Sequence, residues 1–128
     1  RRHIAFHAGA VMPVLPVTVD EYLQLAGAGR PAAAQTGAAE VARLSGLPLT
    51  QPVDTLDAAA MQTLGLAAAL ASGASVLLID APLATGTGDD HSRRRALLTE
   101  ARHSGRTLLV TGLNSRDPLV DHVVEAGA

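Results

Sequence analysis

Lysine and cysteine are both absent from the 128 residues of this chain. All ten basic residues are therefore arginines, which excludes a lysine Schiff base, a Ser–Lys dyad and the lysine of a phosphate-binding loop within this sequence. The lack of cysteine excludes disulfides, thiolate nucleophiles and Cys-ligated metals. Aromatic residues make up only 2 % of the chain. We therefore expect a core of alanine, valine and leucine, in which helices approach each other closely.

The remaining composition is that of one globular domain spanning residues 1–128. Hydrophobic residues make up 48 % of the chain and the formal net charge is −2, which is not typical of a disordered protein. A charge this close to zero offers no broad basic face, so we expect no nucleic-acid partner. The sequence begins with Arg1 rather than methionine and shows no secretory signal, so we expect it to be part of a longer product.

Residues 58–79 carry no charge and are long enough for a transmembrane interpretation. They are mostly alanine, however, and they include Gln62, Thr63 and an interrupting "SGAS" at residues 72–75. A soluble helix followed by a buried strand agrees better with this pattern.

Hydrophobic periodicity divides the chain into helices and strands. Predicted helices cover residues 19–27, 37–46, 58–71, 92–103 and 117–127. Predicted strands cover residues 3–7, 75–80 and 106–112. Residues 26–35 and 84–90 are predicted as flexible connections.

Polar residues at the predicted helix starts are suitable N-caps. Thr18 precedes the first helix, Asp57 precedes the alanine-rich helix, and Asp90 or Ser92 precedes the helix at 92–103. The second half of the chain then runs strand, helix, strand, helix, which predicts a parallel α/β sheet. The middle is helical. We therefore expect a helical subdomain at about residues 18–71 and an α/β core formed by residues 1–17 and 72–128.

Two sequence patterns have the residue types of metal sites. "GDDHS" at residues 88–92 places two carboxylates beside an imidazole, but adjacent loop residues rarely converge on one ion, and helix capping is the favoured interpretation. His3 and His7 are four residues apart, which on a strand separates them by roughly 13 Å, too far for one ion. We therefore predict no metal site from either pattern.

The basic stretch "SRRRALLTEAR" at residues 92–102 has the composition of a charged helix face. Asp89, Asp90 and Glu100 lie close to it in sequence. A solvated, ion-paired surface is therefore favoured over a nucleic-acid patch.

Four stretches in this order resemble one known family. They are "LPVTVDEYLQLAG", the long segment that includes "LSGLPLTQPVDTLDAAAMQTL", "SVLLIDAPLA", and "GRTLLVTGLN". The order resembles the nucleotide-binding domain of ATP-binding-cassette (ABC) transporters, from just after the phosphate-binding loop to near the switch strand. The resemblance covers nearly all of the chain. It implies a P-loop NTPase-like core with a parallel sheet and a helical subdomain, of which the N-terminal part is missing here.

The resemblance also indicates which positions bear on nucleotide binding. The metal-contacting Gln of the family falls near Gly9. The signature stretch, whose Ser and glycines approach the partner's nucleotide, falls on Leu56, Asp57, Ala58, Ala59 and Ala60. An N-cap Asp competes with a phosphate for the same backbone amides, so the cap interpretation of Asp57 argues against phosphate binding.

Three further positions concern metal binding and hydrolysis. Asp80 matches the carboxylate that holds Mg²⁺ through water, although a strand-end Asp is also a good cap for the following loop. Ala81 stands where the family has the Glu that polarises the attacking water, and Gly112 stands at the switch His. Loss of a general base alone typically costs on the order of 10²–10⁴-fold in rate.

The resemblance therefore implies a degenerate domain without hydrolysis of its own. We expect a cytoplasmic protein, peripheral to the inner membrane, that acts as a regulatory or silent partner of a membrane permease subunit or of a second nucleotide-binding domain. No cofactor is expected, and ATP with Mg²⁺ would bind only if the missing phosphate loop were supplied. One alternative is a truncated active ATPase whose phosphate loop lies upstream of Arg1. Another is a homodimeric interaction module that uses the alanine-rich helix at residues 58–71.

Overall fold

The computed structural model describes the backbone of residues 4–8, 16–28 and 32–123, and the side chains of residues 16–28 and 39–123. A 3₁₀ turn at Val53–Thr55 precedes the third helix. The elements in chain order are β1 (Ile4–Ala8), α1 (Val19–Ala26), α2 (Ala32–Ser45), α3 (Ala58–Ala71), β2 (Val76–Asp80), α4 (Gly88–His103) and β3 (Thr107–Val110).

The three strands form one sheet in the order β1-β2-β3, and both strand pairs are parallel. Ala8 lies opposite Asp80, and Ile79 lies opposite Val110, so the carboxyl ends of all three strands meet at one edge. The predicted α/β class with a parallel sheet is confirmed. Helices α1 to α3 lie between β1 and β2 in sequence. The division into a helical subdomain and an α/β core stays a prediction.

Helix α3 lies at the centre of the molecule, in contact with α1, α2, α4, β1 and β2. Leu64 and Leu66 are fully buried, and Leu70 is 1 % exposed. Residues 58–79 are thus a core helix followed by a strand, as predicted. Within the described ranges, no helix is both long enough and apolar enough to span a membrane. The expectation of a homodimer interface on α3 stays a prediction, and the exposed residue of the helix, Ala58, lies at its start.

The predicted caps of the first and third helices are confirmed. The Thr18 hydroxyl accepts the Glu21 N–H at 3.2 Å, and the Glu21 carboxylate accepts the Thr18 N–H at 3.1 Å. This reciprocal pair satisfies two backbone donors at the start of α1. At α3, Asp57 Oδ1 accepts the Ala60 N–H at 2.8 Å.

Two helices begin earlier than predicted. Helix α2 begins at Ala32, inside the predicted connection, because alanine has the highest helix propensity and three alanines stand there. Helix α4 begins at Gly88 and includes the predicted loop residues Asp89 and Asp90. Asp90 accepts the N–H of Thr87 at 2.8 Å from inside the helix, so neither Asp90 nor Ser92 is the N-cap. The N-cap is Thr87.

The helix predicted over residues 117–127 is absent from the part that the structure describes, since residues 117–123 form a turn, a bend and irregular backbone. Asp117 binds Arg95 of α4 through both guanidinium nitrogens and also accepts the Leu119 N–H at 3.0 Å. A second pair joins Arg102 of α4 to Asp121. These long-range pairs hold the segment along α4, and local periodicity does not reveal them.

Candidate functional site

The carboxyl edge of the sheet brings together the ends of β2 and β3, where parallel α/β folds place their ligands. Asp80 ends β2 and Thr111 follows β3. The Thr111 hydroxyl donates to Asp80 Oδ1 and accepts the Ala81 N–H at 3.2 Å. One hydroxyl therefore satisfies a carboxylate oxygen and a backbone donor of the neighbouring strand end. The Asp80 carboxylate remains exposed.

Ala81 and Gly112 are in direct contact at this edge. Gly112 has φ +77, and a Cβ added to it would lie 3.1 Å from Ala81 Cα and 3.3 Å from Ala81 Cβ. Ala81 has φ +45, the one positive φ among the described non-glycine residues. An L-residue in this left-handed region is strained. Ala81 and Gly112 thus face each other, one with a methyl side chain and the other with no side chain. The resemblance assigns these two positions to the catalytic Glu and the switch His.

Two buried polar side chains hold the chain that follows Asp80. Gln62 on α3 donates to the Ala81 carbonyl at 2.9 Å and accepts the Thr85 hydroxyl. Arg94 on α4 donates to the carbonyls of Pro82 at 3.2 Å and Thr85 at 2.5 Å. It also donates to Thr63 Oγ1 at 2.9 Å. Burial lowers the pKa of the Arg94 guanidinium, and the nearby Asp90 carboxylate opposes that shift.

The signature-like positions lie at the start of α3. Asp57 caps the helix, as described above, so its carboxylate occupies a backbone amide that an anion would need. The Ala59 carbonyl accepts from Arg94 at 2.8 Å. The start of α3 is thereby connected to the chain after Asp80 through one guanidinium. The roles of Asp57, Ala58, Ala59 and Ala60 toward a nucleotide stay predictions.

The other candidate residues do not form a site that the structure describes. Gly9 and His3 lie outside the described residues, and the side chain of His7 is not described. Asp90 binds Thr87, and His91 Nε2 lies 3.1 Å from the Thr85 carbonyl, so "GDDHS" forms the start of α4. In the ranges covered by the structure, no group of three or more His, Asp or Glu side chains could hold a metal ion.

The stretch "SRRRALLTEAR" is only partly the solvated face that was predicted. Arg94 is 0 % exposed, which contradicts the prediction for that residue. Arg95 pairs with Asp117 and Arg102 with Asp121, so ion pairing occurs, but with partners distant in sequence. The sequence around these arginines does not indicate either partner.

Sequence reasoning missed Thr111, Gln62 and Arg94 as parts of this edge. One signal pointed to Gln62: it interrupts the apolar alanine-rich helix together with Thr63, and both are buried, at 1 % and 2 % exposure. A polar residue on the buried face of a helix must find a hydrogen-bond partner. Nothing local marks Thr111 or distinguishes Arg94 from its two arginine neighbours.

The described residues at this edge offer few groups that could serve a hydrolytic Mg²⁺–nucleotide centre. Asp80 supplies one carboxylate, already bonded to Thr111, and Ala81 and Gly112 supply no side-chain base or imidazole. A hydrolytic centre needs a group that positions or deprotonates the attacking water. The hydrogen bonds described at this edge link Asp80, Ala81 and Thr111 to one another and include no such group.

Comparison with known proteins gives matches in structure alone. No protein-family model and no curated protein matches the sequence. A putative ABC transporter ATP-binding protein from Pyrococcus furiosus is similar, with a TM-score of 0.68 and 18 % identity, over 91 % of this chain and 60 % of that one.

Two further solved structures are similar to the same extent. The ATP-binding subunit of an ABC transporter has a TM-score of 0.71 at 16 % identity, over 84 % of this chain and 47 % of that one. A dimeric ATP-binding cassette in a post-hydrolysis state, bound to ADP and phosphate, has a TM-score of 0.66 at 18 % identity. The match covers 85 % of this chain and 51 % of that one. The chain thus spans 47 % to 60 % of the lengths of these structures. It has the fold of part of an ABC transporter ATP-binding domain.

Proposed function

We propose that this chain is a degenerate ABC-type ATP-binding domain that does not hydrolyse ATP and acts as a regulatory or silent partner of a membrane transporter. The observation that carries the proposal is the contact between Ala81 and Gly112. The resemblance assigns these positions to the base and the switch residue of hydrolysis. Here they face each other without a functional side chain.

Two further features support this proposal. The chain contains no lysine, so it cannot supply the phosphate-loop lysine that binds the β and γ phosphates. Asp57 places a carboxylate on the first amides of α3, where a partner's phosphate would compete with it. ATP and Mg²⁺ are therefore ligands of this domain only if another segment supplies the phosphate loop.

The proposed partners are a membrane permease subunit and a second nucleotide-binding domain. One structurally similar protein is a dimeric ATP-binding cassette, which supports an association between two such domains. The proposed location is the cytoplasm, at the periphery of the inner membrane. A homodimer that acts without nucleotide and uses the alanine-rich helix at residues 58–71 is the alternative.

ATP turnover by the purified chain tests the proposal. We expect phosphate release from Mg²⁺–ATP to equal that of a protein-free blank, and we expect Asp80→Asn to give the same value. Steady turnover that Asp80→Asn abolishes would contradict the proposal. Calorimetric titration of the full-length gene product with Mg²⁺–ATP then determines whether nucleotide binds without being hydrolysed.

A truncated active ATPase is the second candidate, favoured by the 47 % to 60 % of the solved structures that the chain spans. The coding sequence upstream of Arg1 separates the two candidates. A glycine-rich loop that ends in Lys-Ser or Lys-Thr there would revive nucleotide binding. Hydrolysis would still require a partner that supplies the base missing at Ala81.

A further inference from the structure

Arg94 is the largest fully buried side chain that the structure describes, with 0 % of its surface exposed. A guanidinium has five N–H donors. In this protein they make five hydrogen bonds: Nε to Thr63 Oγ1, one terminal nitrogen to the carbonyls of Pro82 and Thr85, and the other to the Ala59 carbonyl and to Thr85 Oγ1. The donors of Arg94 are therefore saturated.

All five acceptors are neutral oxygens. A buried charge is expensive unless it is paired, and carboxylate pairs give the stronger charge-assisted bonds. Asp90 raises the pKa of Arg94 through its charge alone, while burial lowers it. The arrangement therefore favours a geometric role for the planar five-donor group over a role as an ion-pair partner.

The acceptors of Arg94 belong to two segments that are distant in sequence. Ala59 and Thr63 lie in the first two turns of α3, whereas Pro82 and Thr85 lie in the segment after β2, residues 81–87. Gln62 makes a second connection between the same two segments, since it extends from α3 to the Ala81 carbonyl and the Thr85 hydroxyl. Two side chains, one on each helix, thus bind the same segment to the start of α3.

We propose that Arg94 and Gln62 couple the first two turns of α3 to the carboxyl edge of the sheet, so that a perturbation of residues 57–60 alters the conformation of residues 81–87. Arg94 is a positioning residue in this scheme. It acts through the carbonyls that it holds. The coupling is a property of the isolated chain and does not depend on the proposed function.

Hydrogen exchange of the purified chain, followed by mass spectrometry, tests the coupling. We expect Arg94→Lys to accelerate exchange in residues 81–87 by about tenfold or more, because lysine has three donors and no planar fork and cannot span both segments. Arg93→Met is the matched control, since Arg93 is the exposed neighbour on the same helix. It should leave exchange in residues 81–87 unchanged.

Propagation is measured by perturbing one segment and observing the other. Asp57→Ala removes the cap of α3, and we expect it to accelerate exchange in residues 81–87 as well as at the start of the helix. In an Arg94→Lys background, the added effect of Asp57→Ala on residues 81–87 should disappear. Restriction of the Asp57→Ala effect to α3 in the wild-type background would overturn the proposal.

A milder variant covers the case in which Arg94→Lys fails to fold. Thr85→Val removes the hydroxyl that binds both Gln62 and Arg94 and leaves both helices intact. We expect faster exchange in residues 81–87 and a loss of propagation from Asp57→Ala. Unchanged exchange and propagation would overturn the coupling. These measurements use no nucleotide, so their failure is independent of the ATP turnover that tests the proposed function.

Discussion

Gly112 packs directly on Ala81, and a single added methyl group at Gly112 would lie 3.1 Å from the Ala81 Cα. Both residues have a positive φ, +77 for Gly112 and +45 for Ala81. The close approach of two strand ends therefore depends on one residue that has no side chain and on another that has only a methyl group. A larger residue at position 112 would be strained in its backbone, and its Cβ would crowd Ala81.

We expect Gly112→Ala to lower the free energy of unfolding by more than the backbone term alone, which is about 1–2 kcal/mol for a left-handed L-residue. The added methyl group must also displace Ala81. Urea denaturation measures the difference. Gly105→Ala is the matched control, because Gly105 has φ +81 and nothing within 4 Å of its added Cβ. Equal losses in the two variants would show that the contact with Ala81 contributes nothing.

We expect Thr111→Val to lower the free energy of unfolding by about 1 kcal/mol, because it removes one hydrogen bond to the Asp80 carboxylate and one from the Ala81 N–H at an exposed site. Thr111→Ser retains the hydroxyl and should lose less. A double-mutant cycle with Asp80→Ala, which removes the acceptor oxygen, measures the pair. Strictly additive effects of Thr111→Val and Asp80→Ala would contradict the contact.

We expect Asp57→Ala to cost about 1 kcal/mol of stability, the typical value for a lost N-cap. Asp57→Ser retains a capping oxygen and should remain close to the wild type. Thermal unfolding followed by circular dichroism compares the three proteins. A loss in Asp57→Ser as large as that in Asp57→Ala would mean that the charge, and not the cap, stabilises α3.

We expect the free energy of unfolding in acid to depend on the contact between Asp117 and Arg95. Hydrogen bonds from Arg95 and from the Leu119 N–H lower the pKa of Asp117 from 3.8 to about 2. A carboxyl whose pKa is lower in the folded state binds protons more readily when unfolded. Its stabilisation is therefore present above about pH 4 and is lost as the pH falls toward 2.

Urea midpoints between pH 6 and pH 2 for the wild type and Asp117→Asn measure this contribution. We expect the difference in urea midpoint between the wild type and Asp117→Asn to shrink across the lower half of that range. Asp117→Asn cannot titrate at this position and should lack this component of the pH dependence. An advantage of the wild type that is unchanged at pH 2 would contradict the assignment.

Local patterns were sufficient for most of the elements. The caps of α1 and α3 follow from Thr18 and Asp57, whose side chains bond backbone groups three residues away. The apolar run before Asp80 predicts a buried parallel strand, and β2 is one. Errors occurred where a tertiary contact decided the outcome, as at residues 117–123, which the pairs with Arg95 and Arg102 hold beside α4.

The candidate site likewise has some features that follow from the sequence and others that depend on tertiary contacts. The sequence itself determines that the chain contains no lysine, that alanine stands at position 81 and that glycine stands at position 112. Composition and order also determine the α/β class, because strand and helix periodicities are local. Only the tertiary structure decides that Ala81 touches Gly112, that Thr111 satisfies Asp80, and that Arg94 is buried among neutral oxygens while Arg93 is exposed. These contacts join residues that are 9 to 35 positions apart, and their partners are set by how β2, β3, α3 and α4 pack against one another.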